Sequence, residues 1–372
     1  MLKIKHITLR EILLPLKEPF EISSGMTEDR HIFLLELKDS NGFVGWSECV
    51  AGKTPNYLPE TIDTAWLAIR EWVAPRVIDR RFKGPEEIHG VLERDFRGHN
   101  MAKAAVEMGA WELTAQIQGV SLAQLLGGTR QKIATGISLG IQKNPESLVA
   151  KVRTCLKQGY QKIKIKIKPG ADVEYVRAIR QTLGSEVPLM VDTNNAYTLN
   201  DIDLLKELDE FNLMMIEQPL AWNDLVRHAI LQKQLKTPIC LDESITSVER
   251  AEDMITLGSG RIINIKPGRV GGFMSALAIH NFCVENNIPV WCGGMLESGV
   301  GRAHNVALAS LPNFVLPGDL SPSSRYWERD IVTPEWTMDN QGMITVPFDK
   351  SGMGVTVDID RVDDLTVRCE TI

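Results

Sequence analysis

The sequence predicts a parallel (β/α)8 TIM-type barrel, an α/β fold, with an α+β capping domain built from both ends of the chain. From residue 131 onward, strand-like and helix-like segments alternate without a break. Five successive strand candidates end on an ionisable residue, Lys166, Asp192, Glu217, Asp242 and Lys266, at spacings of 26, 25, 25 and 24 residues. Outside this region the order changes. Strands followed by helices precede it, and short strand signals among turns follow it. The predicted division is therefore 1–130, 131–321 and 322–372, with the last segment returning to the first. A chain of 372 residues accommodates a barrel of about 250 residues and a smaller domain. An open doubly wound sheet is the alternative. No GxGxxG follows a strand, so its nucleotide-binding form has no support.

The N-terminal region reads as an antiparallel meander, with strands predicted at 2–14, 31–38 and 42–50 and DSNG (39–42) as the second turn. Residues 19–28 and 51–59 read as polar loops, the second carrying Tyr57. Helices are predicted at 60–77, 85–96 and 101–118. The barrel strands are expected at 133–140, 162–168, 187–192, 212–217, 238–242, 261–266, 288–292 and 313–316. Helix signals lie between them: Asn144-Pro145 as N-cap and first turn, Gly159, Gly184 and Gly258 as stops, and capping boxes at Thr198…Asp201 and Thr246…Glu249.

The segment 161–170, QKIKIKIKPG, fixes which way the barrel faces. Its lysines and isoleucines alternate, so they occupy opposite faces of a strand. Isoleucines packed under helices would turn Lys162, Lys164, Lys166 and Lys168 into the barrel, where ammonium groups are costly unless a site uses them. An exposed edge strand with a lysine face is the simpler alternative. The common phase of the five charges favours the barrel reading, because it places them all at strand C-termini, the rim where barrel active sites lie.

Hydrophobic content of 44% and charged content of 24% are ordinary for a globular protein, and a net charge of −7 argues against a general nucleic-acid binder. Six scattered cysteines without a CxxC read as reduced core thiols of a cytoplasmic protein. No signal peptide and no membrane-spanning apolar run are expected.

Asp192, Glu217 and Asp242 come from three consecutive strands about 4.8 Å apart, so three carboxylates surround one point. They would repel one another unless a hard dication held them, and oxygen-only ligands select Mg²⁺ or Mn²⁺ over zinc. An ion network with the flanking lysines is the alternative. Lys166 and Lys266 should face one another across the metal, with Lys164 one pleat back as a second positive charge. A lysine in a dry site or beside a cation can act as a base. Two bases on opposite faces allow racemisation. One base with one stabilising cation allows elimination.

KIKIKIKPG, VDTNNAY, IEQPL, LDES, NIKPGRVGG, WCGGMLESGVGRA and PGDLSPSSRYW together resemble the muconate-lactonising-enzyme-like subgroup of the enolase superfamily, over essentially the whole chain. Within it they resemble the o-succinylbenzoate synthase / N-acylamino acid racemase group. The resemblance implies Mg²⁺ on Asp192, Glu217 and Asp242, and Lys166 and Lys266 as the acid/base pair. It also implies Asn194 as a substrate ligand, Glu243 orienting a neighbouring lysine, a small carboxylate substrate and a homo-oligomer. By the same logic Phe20, residues 23–26 with Ser24 and Met26, and Tyr57 would close over the rim. Ser138, Gly293, Gly294 and Met295 would shape the pocket from strand ends. Phe20 and Tyr57 as plain packing residues, and the glycines as tight turns, are the alternatives. Arg302 and His304 read as structural. Dipeptide epimerases of this subgroup carry an Asp-x-Asp after the last strand to hold an ammonium. Here GDLS (318–321) has one Asp, which favours an N-acylated or non-amino substrate. A muconate-type cycloisomerase and an inactive barrel with a binding role are the remaining rivals.

Overall fold

The computed structural model describes residues 1–23 and 25–372. Strands β1 (Ile4–Ile22), β2 (Gly25–Asp39) and β3 (Val44–Cys49) form an antiparallel meander, and the C-terminal strand Thr366–Thr371 pairs with β1 on its outer side. Alternation sets the buried face: Ile7, Leu9, Phe33, Leu35 and Leu37 are buried against helices, and a bulge before His6 brings Ile4 into the same cluster. Helix Asn100–Gln118 lies so close to β3 that a Cβ on Gly45 would stand 2.5 Å from the Leu113 amide nitrogen, so glycine is required there. Residues 19–28 are not the expected loop. Among the described residues, the meander's first two strands pair again beyond an irregularity after Pro15, Phe20 with Thr27 and Ile22 with Gly25, so this part is an arm rather than a loose connection. The predicted helix 60–77 is helical from Ile62, with Thr61 as its N-cap, and passes through a π-turn at Ile69–Val73.

The barrel region opens with β4 (Lys132–Ala134), which pairs with Met343–Thr345 of the C-terminal segment, and β5 (Gly136–Leu139), its first stave. There follow β6 (Lys162–Lys166), β7 (Leu189–Asp192), β8 (Ile216–Glu217), β9 (Ile239–Leu241), β10 (Ile262–Ile265) and β11 (Val290–Cys292). They form one parallel sheet in sequence order, from β5 to β11. The expected eighth strand at 313–316 is absent. That segment turns, and closure falls to Gly318 and Asp319. Gly318 accepts from the Gly136 amide at 2.6 Å and donates to Ala134 O at 3.2 Å, while the Asp319 amide donates to Cys292 O at 2.9 Å. NFVL has the apolar run of a strand, but its Phe314 packs beneath helix Phe273–Glu285, stacked on His280.

Along β6, Ile163 and Ile165 face the surrounding helices while Lys162, Lys164 and Lys166 are buried inside the ring. Lys168 does not join them: the strand ends at Lys166, and Lys168 pairs with Glu21 at 3.1 Å, half-exposed. Below the buried lysines Met190, Met215, Cys240, Ile262 and Trp291 fill the interior. Helix Pro145–Lys157 starts at Asn144 as expected, and Thr198 forms its capping box with Asp201. The cap expected at Thr246 lies one residue later, at Ser247, whose side chain accepts from the Arg250 amide. All six cysteines are free. Five are buried and Cys369 is exposed, which corrects the expectation that all are core thiols. Among the described residues no helix is long and apolar enough to cross a membrane.

Two glutamates of the capping region seal barrel helices. Glu48, at the end of β3, accepts from the Ser298 and Gly301 amides at 3.0 and 3.2 Å, at the start of helix Gly299–Ala309. Glu107 accepts from the Phe273 and Met274 amides at 2.7 and 3.0 Å, at the start of helix Phe273–Glu285. Both carboxyls meet N–H groups that a helix start leaves unpaired.

Candidate active site

Parallel register brings the strand ends together: Lys166 stands beside Asp192, and Asp192 beside Glu217. Asp242 and Lys266 follow the last residues of β9 and β10. Counting Gly318–Asp319 as the closing stave, β6 and β10 are the second and sixth of eight positions, so Lys166 and Lys266 lie on opposite sides of the ring. Both open into one cavity of about 340 Å³, a size suited to a small ligand.

The acids beneath this cavity are bound by cations. Lys166 Nζ lies 2.5 Å from Asp192 Oδ2 and donates to Asn194 Oδ1 at 2.7 Å. Lys164 Nζ lies 3.1 Å from Glu217, 3.2 Å from Asp192 and 2.6 Å from Asp319. Lys266 Nζ lies 2.8 Å from Asp242, which also pairs with Arg269. Among the described residues no three His, Cys, Asp or Glu side chains converge closely enough in this arrangement to hold a metal ion.

The ionisation pattern is uneven. Burial opposes the charge of Asp192, but Lys166 and Lys164 overcome it and hold its carboxyl below the ordinary range. Asp242 is likewise held low by Lys266 and Arg269 against its burial. Glu217 is pushed up to about 8, by burial first and then by the charge of Asp192. Burial and mutual repulsion thus oppose full ionisation of the three carboxyls, and their hard oxygens suit a divalent cation such as Mg²⁺. Lys266 is held charged above its ordinary range, since Asp242 outweighs its burial.

The capping region supplies the roof. Phe20, Met26 and Tyr57 line the cavity together with Ser138, Asn194, Gly294 and Met295. Ser24 lies outside the described residues. Its neighbour Ser23 donates to Asn194 O at 3.1 Å. Tyr57 is more than a packing residue. Its hydroxyl donates to Asp242 at 3.2 Å and accepts from Lys266 at 3.0 Å and Arg269 at 3.1 Å. Gly293 permits a close approach: a Cβ there would stand 2.4 Å from Asn264 Oδ1 and 2.5 Å from Lys266 Cε. Glu243 does not touch a lysine. It accepts from Asn194 and Asn195 at 3.0 and 3.2 Å, so it reaches Lys166 only through Asn194. The reason is geometric: Asn194 and Asn195 both adopt positive φ, which turns their amides back toward Glu243. Arg302 and His304 are buried on their helix and do not line the cavity.

Sequence reasoning missed three participants. Asn264 donates to Glu217 at 2.8 Å, Arg269 holds Asp242, and Asp319 joins Lys162 and Lys164. Period two places Asn264 on the face of Lys266, a signal that was available. Arg269 reaches back from the turn after Lys266, and Asp319 depends on how the ring closes. Neither position follows from spacing.

Residues 4–127 match the mandelate racemase / muconate lactonizing enzyme N-terminal domain, and residues 147–362 match the enolase C-terminal domain-like family. An o-succinylbenzoate synthase of Geobacillus kaustophilus is 49% identical over 97% of this chain and 94% of its own. An N-succinylamino acid racemase of Thermus thermophilus is 45% identical over 98% of each chain. The crystal structure of an enolase superfamily member from Listeria innocua, 44% identical, superposes with a TM-score of 0.96 over 100% of this chain and 99% of that one. The two family matches together span most of the chain, from the capping meander to the last helix, and place it in the mandelate racemase / muconate lactonizing enzyme family of enzymes, within the enolase superfamily.

Proposed function

We propose that the protein removes the proton α to a carboxylate, acting as an o-succinylbenzoate synthase, an N-succinylamino acid racemase, or both from one pocket. The observation that carries this reading is the pair of lysines, Lys166 and Lys266, facing one cavity from opposite sides of the ring above three acids. The relatives named above supply the substrate class. In racemisation one lysine takes the α-proton and the other delivers a proton to the opposite face. In dehydration of the succinyl hydroxycyclohexadiene carboxylate, Lys166 takes the proton and returns it to the departing hydroxyl, while the charge of Lys266 stabilises the enolate. Asp192, Glu217 and Asp242 would hold Mg²⁺, with Mn²⁺ as a substitute, which when bound neutralises the substrate carboxylate and the charge that develops as the proton leaves.

Phe20, Ser24, Met26, Ser138, Gly294 and Met295 shape the acyl and side-chain space, Asn194 and Tyr57 offer polar contacts, and Lys164 supports Lys166. The division at residues 130 and 321 matches these tasks: the ends of the chain roof the site and the barrel performs the chemistry. We place the enzyme in the cytoplasm as a homo-oligomer acting on a small molecule, with menaquinone biosynthesis as the route that uses the dehydration. A dipeptide epimerase fits less well, since the single Asp319 is already engaged by two lysines.

The test is α-proton exchange of each N-succinyl amino acid enantiomer in heavy water, run beside the dehydration assay. Lys166→Ala and Lys266→Ala should each abolish exchange from one enantiomer and spare the other. Retained exchange from both enantiomers in either variant refutes the two-base assignment.

A further inference from the structure

Lys162 takes no part in the chemistry proposed above, yet it is fully buried one pleat below Lys164. Its Nζ lies 3.3 Å from the centre of the Trp291 ring and 3.2 Å from Asp319 Oδ1, and it has no hydrogen-bond partner. The other oxygen of the same carboxylate, Asp319 Oδ2, lies 2.6 Å from Lys164 Nζ. Asp319 belongs to the segment that closes the ring, on the opposite side of β5 from β6. A buried ammonium without a full hydrogen-bond shell is costly, and an apolar residue would fill this layer at least as well beside Met190, Met215 and Ile262. Its placement makes sense if the charge acts on something.

We propose that Lys162 is a positioning residue. Seated on the Trp291 ring face, it pins the Asp319 carboxylate, which in turn fixes Lys164 against Asp192 and Glu217 on the Lys166 side of the cavity. The inference rests on the two-base reading. The relay runs up one side of the ring only. Lys162, Lys164 and Lys166 share β6, whereas Lys266 is held by Asp242 and Tyr57, neither of which touches Lys162 or Asp319. Loss of the pin should therefore disturb one face of the substrate selectively. A residue needed merely for folding would not distinguish the faces.

The experiment measures exchange from each pure enantiomer with the full-length Mg²⁺-loaded enzyme. Lys166→Ala and Lys266→Ala first identify which enantiomer belongs to which side. Lys162→Met and, independently, Asp319→Asn are expected to slow exchange on the Lys166 side by about 10- to 100-fold, the range for loss of a supporting partner. Exchange on the Lys266 side should stay within about twofold, and the double variant should be no slower than Asp319→Asn alone, as for two members of one relay. Equal slowing of both sides, or no slowing in either variant, overturns the proposal. If Lys162→Met does not fold, Asp319→Asn decides it by the same asymmetry. Failure of the two alanine variants to separate the faces is a different result, one that removes the two-base reading and this inference with it.

Discussion

Replacing Glu107 with glutamine separates the charge of a buried carboxyl from its shape. Glu107 is fully buried, spans from the capping helix to the start of helix Phe273–Glu285, and also accepts from Trp111 Nε1 at 2.8 Å. Burial pushes its carboxyl from an ordinary 4.5 to about 7, against the pull of its hydrogen bonds to Phe273 and Met274. The folded value lies above the unfolded one, so the folded state holds the proton more tightly. Stability from this group is complete below pH 4.5 and is lost as pH rises through 7. At about 1.4 kcal/mol per pH unit, the loss amounts to roughly 3 kcal/mol. Glutamine cannot titrate, and it replaces one acceptor with a donor, an offset of about 1–3 kcal/mol that does not vary with pH. Wild type should therefore be the more stable protein near pH 4.5 and lose its lead by neutral pH. At roughly 2 °C per kcal/mol for a chain of this size, the gap in Tm should move by about 5 °C. Parallel thermal scans of the two proteins at several pH values measure it. Glu48 and Glu112 are raised to similar values, and their contributions cancel in the difference. A gap that stays constant over this range, or widens in favour of wild type, refutes the reasoning.

Tyr57→Phe removes the hydroxyl shared by Asp242, Lys266 and Arg269, and should lower kcat by about 10- to 100-fold while thermal stability changes little. Steady-state kinetics with both substrate classes checks this, and unchanged kcat would count against a role for the phenol beyond packing. Gly293→Ala drives a methyl group into Lys266 Cε and Asn264, so turnover should fall more steeply than Tm, with exchange most affected on the Lys266 side. Chelation should abolish turnover and added Mg²⁺ should restore it, with Tm rising as the ion concentration rises. Glu217 keeps its proton up to about 8, so metal binding at pH 7 should release close to one proton and tighten as pH rises. Calorimetry in buffers of different ionisation enthalpy reads that proton directly, and zero release would show that Glu217 is already ionised.

Much of the barrel and its site was legible in the chain because two periodicities coincide there. The two-residue alternation of KIKIKIK sets an inner face, and the repeat near 25 residues carries Asp192, Glu217, Asp242 and Lys266 to the same height. Both are local regularities imposed by backbone geometry. What escaped depends on contacts between distant segments. The apolar run NFVL satisfies strand propensity, but its place in the ring is taken by Gly318, whose fitness lies in its hydrogen bonds to Ala134 and Gly136. Residues 19–28 look like a loop by composition, yet among the described residues strand pairing resumes there, at Phe20 and Thr27, after the break that follows Pro15 and Asp29. Arg269 and Asp319 enter the site through tertiary placement, and no spacing rule marks them.

The way the ring shuts has a consequence for how such a site can change. Seven staves are joined by ladders of backbone pairing, whereas the eighth is a two-residue splice held by three backbone hydrogen bonds and, through the Asp319 side chain, by ion pairs to the amines of β6. Closure of the wall and the shape of the pocket floor therefore meet at one residue, whose backbone serves the first and whose carboxylate serves the second. A change at Asp319 that reshapes the floor for a different ligand removes the splice's ionic tie to β6 and leaves its backbone bonds to hold the ring shut, so a new specificity acquired there must be compatible with that weaker fastening.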